Sequence, residues 1–120
     1  SRMRSTMQAI EKTLMKNRLV YRNLNLDGAL KGEGTFTPCV FWFIENLAKA
    51  GRISEAEDLM RQTLRYANDL GLFSEQIDPD SGELLGNFPQ AFTHVALIQA
   101  ALAIEAAKRP ELAAGVDEAL

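Results

Sequence analysis

Glu75 is the residue whose surroundings best suit acid–base chemistry. It lies in a long stretch without helical periodicity, between the apolar residues Leu72, Phe73 and Ile77 rather than in a charged run. A carboxylate in such surroundings is expected to be partly desolvated and held by its neighbours, as a general base must be. A loop glutamate can also cap a nearby helix or pair with an arginine, and spacing alone favours that structural role.

A second polar segment, over about residues 18–36, is rich in groups that hydrogen-bond to hydroxyls. These groups are Tyr21, Arg22, Asn23, Asn25, Asp27, Lys31 and Glu33. Loops of this composition usually meet only water, so composition alone does not make the segment a binding site. Trp42 follows shortly afterwards, and it is either a core residue or part of a pocket wall.

The single histidine and the single cysteine favour neither a metal site nor a redox site. His94 has no His, Glu or Asp at ligand spacing nearby, so we expect a packed, hydrogen-bonded side chain. Cys39 precedes the apolar run Val40-Phe41-Trp42 and is expected to be a buried, inert thiol. One cysteine allows no internal disulfide. The sequence therefore predicts no metal and no cofactor.

Four helices are predicted to position these residues, over about 3–17, 37–50, 54–70 and 90–108. The first and third are amphipathic, whereas the second and fourth are apolar on nearly all sides, as in elements covered by several neighbours. Ser54 and Glu57 are spaced as a capping box for the third helix, with Ile53 as a staple residue. Pro110 ends the fourth helix, and residues 111–119 form a possible last short helix.

The lengths of the connections predict how the helices are arranged. The second and third helices are joined by little more than Gly51 and Arg52, but the links over about 18–36 and 71–89 are long, and long loops in compact domains are usually functional. We expect an all-α chain of two outer/inner helical hairpins. Both long links then enter the N-terminal end of an inner helix, on the same face. A turn over Asp78–Gly82 reverses the second link between two short extended pieces.

Composition and charge exclude several functions. The 120 residues are 47% hydrophobic with a net charge of −3, so we expect one domain or part of one, with no nucleic acid and no membrane as partner. No signal peptide or membrane span is visible, and we expect a cytoplasmic protein. Because the chain begins with Ser1 and enters a helix almost at once, we expect residue 1 to be a boundary within a longer protein.

Two segments resemble one enzyme family. Residues 32–43, GEGTFTPCVFWF, and residues 71–98, GLFSEQIDPDSGELLGNFPQAFTHVALI, are similar in order and pattern to bacterial members of glycoside hydrolase family 15. That family contains glucoamylases, glucodextranases and some trehalases. The resemblance implies an (α/α)6 toroid of which residues 1–120 form a partial domain, the C-terminal third of the catalytic domain.

The resemblance also implies roles for four residues. Glu75 matches the general base of an inverting mechanism, and the general acid belongs to a segment of the parent that is missing here. Arg22, Glu33 and Trp42 match positions that bind the sugar. The implied partners are an α-glucoside or oligosaccharide substrate and the remainder of the catalytic domain. Alone, the fragment is expected to be inactive and to self-associate. The alternative is a non-catalytic helical-hairpin interaction module descended from such a hydrolase.

Overall fold

The computed structural model describes residues 1–24 and 33–111. This part of the chain is mostly helical, with α1 at Arg2–Thr13, α2 at Thr37–Lys49, α3 at Ile53–Leu64 and α4 at Ala91–Lys108. Five strands of two residues each lie in the connections. The predicted helical class is therefore confirmed for the four helices, but a purely α class is wrong in omitting the two small sheets. No helix of the described residues is long and apolar enough to cross a membrane.

Helix α2 forms the centre of the core. It begins with Thr37-Pro38, where a proline costs nothing because the first N–H groups of a helix have no intrahelical partner. Its residues Val40, Phe41 and Ile44 are fully buried. The helix packs chiefly against α4 and also against α3. This position explains why α2 is apolar on nearly all sides.

Helix α4 is apolar all round but is covered on only one side by the described residues. The side facing the core is lined by Thr93, Ala96, Ala100 and Ile104, and the two alanines are small enough to allow a close approach to α2. The opposite side exposes a stripe of large apolar residues, Phe92, Val95, Ile98 and Leu102, which we call the α4 stripe. The sequence predicted that neighbours cover α4 on several sides, but the described residues cover it on one side.

Two of the predicted helices are shorter than expected. Helix α1 ends at Thr13, and the chain then forms a hairpin of β1 (Met15–Lys16) and β2 (Leu19–Val20). The turn between them has Asn17 and Arg18 at positive φ, a backbone conformation that ends the helical pattern predicted to reach residue 17.

Helix α3 also differs from its prediction at both ends. It begins at Ile53 with Arg52 at the N-cap and no side-chain capping bond, so the predicted Ser54–Glu57 box is wrong. It ends at Leu64 rather than near 70, and turns follow. There the Asn68 side-chain oxygen accepts the N–H groups of Leu70 and Leu72 and so replaces helical bonds. The short helix considered over 111–119 lies almost entirely outside the described residues.

A three-stranded antiparallel sheet joins the two long connections. It consists of β3 (Thr35–Phe36), β4 (Gln76–Ile77) and β5 (Leu84–Leu85), with β4 in the centre. Thr35 is paired with Ile77, so the end of the first connection lies against the middle of the second. The prediction that the two long connections meet on one face is confirmed by this pairing, although β3 itself was not predicted.

Candidate functional site

The β4–β5 hairpin presents Glu75 because its turn is built from local hydrogen bonds. The Asp78 carboxylate accepts the backbone N–H groups of Asp80 and Ser81, at 2.8 and 3.0 Å. These bonds, with that from Ser81 first, hold the pKa of Asp78 below its usual value. Gly82 completes the turn at a φ of +76°. The expected turn over Asp78–Gly82 between two extended pieces is therefore confirmed.

Glu75 stands immediately before β4 and is held by its backbone at two points. Its N–H donates to the carbonyl oxygen of Asn87 at 2.9 Å, and its carbonyl oxygen accepts the N–H of Thr37, the first residue of α2, also at 2.9 Å. The residue is half-buried. These bonds fix the main chain of Glu75 between the hairpin and the start of the central helix.

The Glu75 side chain is held as well. Its Oε2 accepts the backbone N–H of Asn87 at 3.1 Å. Gly86 lies directly against it: a Cβ at residue 86 would be 2.9 Å from Oε2 and 3.1 Å from the Glu75 Cβ. Among residues 1–24 and 33–111, no cation forms an ion pair with this carboxylate. The carboxylate is thus kept in place by a neutral donor and by close contact.

The start of α4 ties down the segment that leads into Glu75. His94 Nε2 accepts the N–H of Phe73 at 3.2 Å, so its Nδ1 carries the proton and donates to the Gln90 carbonyl oxygen at 2.6 Å. The Thr93 hydroxyl lies 3.2 Å from the carbonyl oxygen of Ser74. The predicted packed, hydrogen-bonded histidine is confirmed, and its function here is to hold the connection.

The other predicted site residues lie where β3 begins. Arg22 forms an ion pair with Glu33, with 2.6 Å between Nη2 and Oε1, and its guanidinium stands 5.6 Å from the centre of the Phe36 ring. The N–H of Gly34 donates to the side-chain oxygen of Gln76 at 3.1 Å. Glu33 and Glu75 are therefore each one residue away from a direct contact between the two connections.

Trp42 belongs to an aromatic cluster at the same end of α2. Its ring packs edge-on against Phe36, with centroids 6.3 Å apart, and against Phe92, at 5.6 Å. Half of the Phe92 surface is exposed. Trp42 also lines an apolar cavity of about 350 Å³ that Arg22 and Cys39 border. Trp42 is thus a packing residue, and the cavity that it lines lies on the α1 side. Its place in the wall of a sugar pocket stays a prediction.

Cys39 is poorly suited to nucleophilic chemistry. Burial raises the pKa of the Cys39 thiol to about 11, and the charge of Arg22 opposes this only in part, so the thiolate is scarce at neutral pH. In the described part of the chain, no group of three or more His, Cys, Asp and Glu side chains is arranged to hold a metal ion. Asn25, Asp27 and Lys31, noted in the polar segment, lie outside the described residues.

A larger groove lies elsewhere in the described structure. It has a volume of about 610 Å³ between α1 and the C-terminal end of α2, and Glu11, Asn46 and Arg52 are among its lining residues. None of the predicted site residues borders it. A groove that none of the predicted site residues borders can reflect missing packing as readily as a ligand site. The Glu75 region is therefore the stronger candidate.

Sequence reasoning missed three contributors to the site. Phe36 and Phe92 complete the aromatic cluster, and Phe92 lies within the segment 71–98 that carries the resemblance. The backbone of Gly86-Asn87 holds the Glu75 carboxylate. A glycine followed by asparagine just after a strand signals a left-handed turn, but its contact with Glu75 depends on the β4–β5 register.

Comparisons with known proteins agree with the resemblance. Residues 48–102 match the model of the family described as glycosyl hydrolases family 15. The chain is 44% identical to a trehalase of Mycolicibacterium smegmatis over 96% of its length, and 43% identical to a trehalase of Thermoplasma volcanium over 85%. It is 47% identical to a trehalase of Mycobacterium tuberculosis over 82% of its length.

The matches cover a small part of these relatives. The aligned region is 18%, 16% and 15% of the three trehalases, in the order given, so the chain spans about a sixth of their length. No solved structure matches the chain.

Proposed function

The chain belongs to glycosyl hydrolase family 15, and on that premise we propose that it carries the general base of an inverting hydrolase of α-glucosides. It contributes one part of a catalytic domain, and the rest of that domain supplies the general acid and most of the sugar pocket. The base is Glu75, and the residues that bind the sugar from this chain are Arg22, Glu33 and Trp42.

The arrangement of Glu75 is the observation that carries this proposal. Its carboxylate is half-buried, accepts a backbone N–H at 3.1 Å, and lies where the two long connections meet. A general base needs a carboxylate that is fixed in direction and is not committed to a cation. In the described residues Glu75 meets both conditions, whereas Glu33 is paired with Arg22.

The proposed reaction needs two carboxyl groups on opposite sides of the scissile bond. Glu75 takes a proton from a water molecule as the water oxygen bonds to the anomeric carbon. The bond between that carbon and the glycosidic oxygen breaks, and a carboxylic acid elsewhere in the catalytic domain protonates the departing oxygen. In inverting enzymes the two groups stand roughly 6.5–9.5 Å apart to leave room for the water.

The relatives suggest which α-glucoside to test first. The three trehalases reported above are named for a disaccharide substrate, so we propose trehalose, with maltose and dextrin as comparison substrates. Recognition of a sugar suits the groups present, because a guanidinium and a carboxylate bind hydroxyls and an exposed aromatic face packs on a pyranose ring. Degradation of a polysaccharide has less support than hydrolysis of a disaccharide.

The α4 stripe supports the view that the chain acts within a larger domain. Phe92, Val95, Ile98 and Leu102 are each at least half exposed, and they follow one another at helical spacing. Such a stripe is the kind of surface that another helix covers, and we propose that the remainder of the catalytic domain covers it. The isolated chain should then self-associate. A monomer in light scattering, with no hydrophobic-dye binding, would contradict this.

Replacing Glu75 tests the proposed base. In the full-length protein, Glu75→Gln should lower kcat for trehalose by about 10²–10⁴-fold, since general base catalysis contributes about that much. Glu83→Gln is the matched control, because Glu83 is an exposed glutamate of the same hairpin. Inverting hydrolysis of trehalose by the original protein should release one β-glucose and one α-glucose before mutarotation, which NMR can follow. Wild-type turnover by the Glu75 variant would refute the assignment.

The second candidate is a non-catalytic interaction module of helical hairpins. The exposed α4 stripe is the observation that favours it, because a docking surface needs no catalysis. Against it stand the two long connections, since repeat modules keep their links short. A full-length protein that fails to hydrolyse trehalose, maltose and dextrin would favour the module.

A further inference from the structure

We infer that Gly86 and the backbone N–H of Asn87 position the Glu75 carboxylate for its role as base. This inference rests on the proposed function, and it adds positioning residues that act through Glu75 without touching the substrate. We call the pair Gly86 and Asn87 the 86–87 clamp. Its two members act differently, one by a hydrogen bond and the other by leaving space, and each can be altered separately.

The first member holds one carboxylate oxygen. Asn87 exchanges two hydrogen bonds with Glu75: its carbonyl oxygen accepts the Glu75 N–H at 2.9 Å, and its N–H donates to Glu75 Oε2 at 3.1 Å. The N–H that would continue the β4–β5 ladder is thus given to a side chain. Because the donor belongs to the main chain of a paired strand end, its direction is fixed, unlike that of a long side chain.

The second member sets the space around the same oxygen. Gly86 adopts a φ of +75°, and a Cβ there would meet Glu75 Oε2 at 2.9 Å, Cβ at 3.1 Å and Cδ at 3.3 Å. Real Cβ atoms essentially never approach an oxygen closer than 3.0 Å. A side chain at residue 86 would therefore make the end of the Glu75 side chain shift from the position in which it accepts the Asn87 N–H.

The other glycines show that this contact is more than a consequence of the turn. Gly71 has nearly the same backbone angle, a φ of +78°, but a Cβ there would have nothing within 4 Å. At Gly71 the need for glycine comes from the backbone alone. At Gly86 both the backbone conformation and the nearby Glu75 carboxylate require glycine. This second requirement distinguishes Gly86, as a positioning residue, from a residue that only forms a turn.

The hydrogen bond is tested by comparing Asn87→Pro with Asn87→Ala in the full-length protein. Asn87 is not among the residues with positive φ, a conformation that proline cannot adopt, and its carbonyl can still accept the Glu75 N–H. Thermal unfolding of the two variants checks that both keep the fold. Proline removes the N–H and places its Cδ toward Oε2, whereas alanine keeps the N–H. We expect the kcat of the proline variant to be about ten- to a hundredfold below that of the alanine variant, with similar KM.

The close contact is tested by comparing Gly86→Ala with Gly71→Ala. Both variants carry the same strain from a left-handed backbone and should lose similar thermal stability. Only Gly86→Ala adds a clash with Glu75, so it should lower kcat by about tenfold or more while Gly71→Ala retains it. Equal kcat in the two variants would overturn the role of Gly86.

Double variants that lack the Glu75 carboxylate separate an effect on its position from a general effect on the fold. In a Glu75→Ala protein there is no carboxylate to position, so adding Asn87→Pro or Gly86→Ala should change the residual kcat by less than about twofold. A full further loss would mean that the clamp acts on the fold, and the inference would be wrong. If Glu75→Ala alone keeps wild-type turnover, the proposed function fails instead. If it abolishes turnover but the clamp variants match their controls, only the present inference fails.

Discussion

The two long connections that meet at the candidate site are held in opposite ways. In the connection over 71–90, Glu75 is fixed by main-chain groups of Thr37 and Asn87, and the segment before it is tied to His94. At the two ends of the other connection, Arg22 and Glu33 hold each other through their side chains, with 43% and 26% of those side chains exposed. The first arrangement fixes the direction of the Glu75 side chain. In the second, either side chain of the ion pair can exchange its partner for another group.

This difference suits the two proposed roles. A base must point at one water molecule in every turnover, and a backbone scaffold provides that at no cost in side-chain freedom. A residue that binds sugar hydroxyls has to release its own partner when the substrate arrives. The Arg22–Glu33 ion pair is partly exposed and therefore worth little, on the order of 1 kcal/mol or less. Its weakness makes both groups available to a ligand.

Replacing Arg22 is the strongest test of the side-chain half of the comparison. In the full-length protein, Arg22→Ala should lower kcat/KM for trehalose by about ten- to a hundredfold, mainly through KM, because a charged hydrogen-bond donor to the sugar is lost. Arg22→Lys should recover only part, since lysine lacks the planar fork of donors. Steady-state kinetics with trehalose measure both effects.

Glu33→Gln is the control for the ion pair itself. It breaks the pair with Arg22 but leaves the guanidinium and its contact with Phe36. If the pair served only to hold the fold, the Arg22 and Glu33 variants would lose the same amount of stability, and KM for trehalose would not rise in either variant. We expect instead a larger KM for Arg22→Ala than for Glu33→Gln. An unchanged KM in Arg22→Ala would remove Arg22 from the substrate site.

The sequence predicted the bounds of α2 and α4 better than the end of α1 and the cap of α3. Helices α2 and α4 lie within about a residue of their predicted bounds, because their apolar runs are long and are ended by Gly51 and by Pro110. The end of α1 was wrong because Asn17 and Arg18 adopt a positive φ that hydrophobic periodicity does not report. Helix α3 begins within a residue of its predicted start, but its capping box was wrong because Arg52, which bonds to Glu55, takes the N-cap instead of Ser54.

The site could be located from the sequence only in part. Turn residues at Asp78–Gly82 predicted a reversal, and apolar neighbours singled out Glu75. The partner of the carboxylate depends on the pairing of Gln76 with Leu85, which sets Gly86 and Asn87 beside Glu75. A shift of one residue in that register would move every side chain to the other face. Two-residue strands carry too little pattern to fix such a register in advance.

His94 offers the smaller test, on the main-chain half of the comparison. His94→Ala removes the acceptor of the Phe73 N–H and the donor to the Gln90 carbonyl. We expect the free energy of unfolding to fall by about 1–3 kcal/mol, because the N–H of the buried Phe73 is left without its acceptor. Gln99→Ala, at an exposed position of the same helix, should stay within about 0.5 kcal/mol of the original.

Hydrogen exchange shows whether that loss is local, as the comparison requires. If His94 secures the connection over 71–90, the amides of Phe73 and Glu75 should exchange faster in His94→Ala, because the segment opens without the whole domain unfolding. The amide of Tyr21, which donates to the Leu14 carbonyl oxygen near the Arg22 side of the site, should be unaffected. Faster exchange at Tyr21 as well would mean that both connections depend on the hydrogen bonds of His94. The contrast between a main-chain scaffold and an exchangeable ion pair would then not hold.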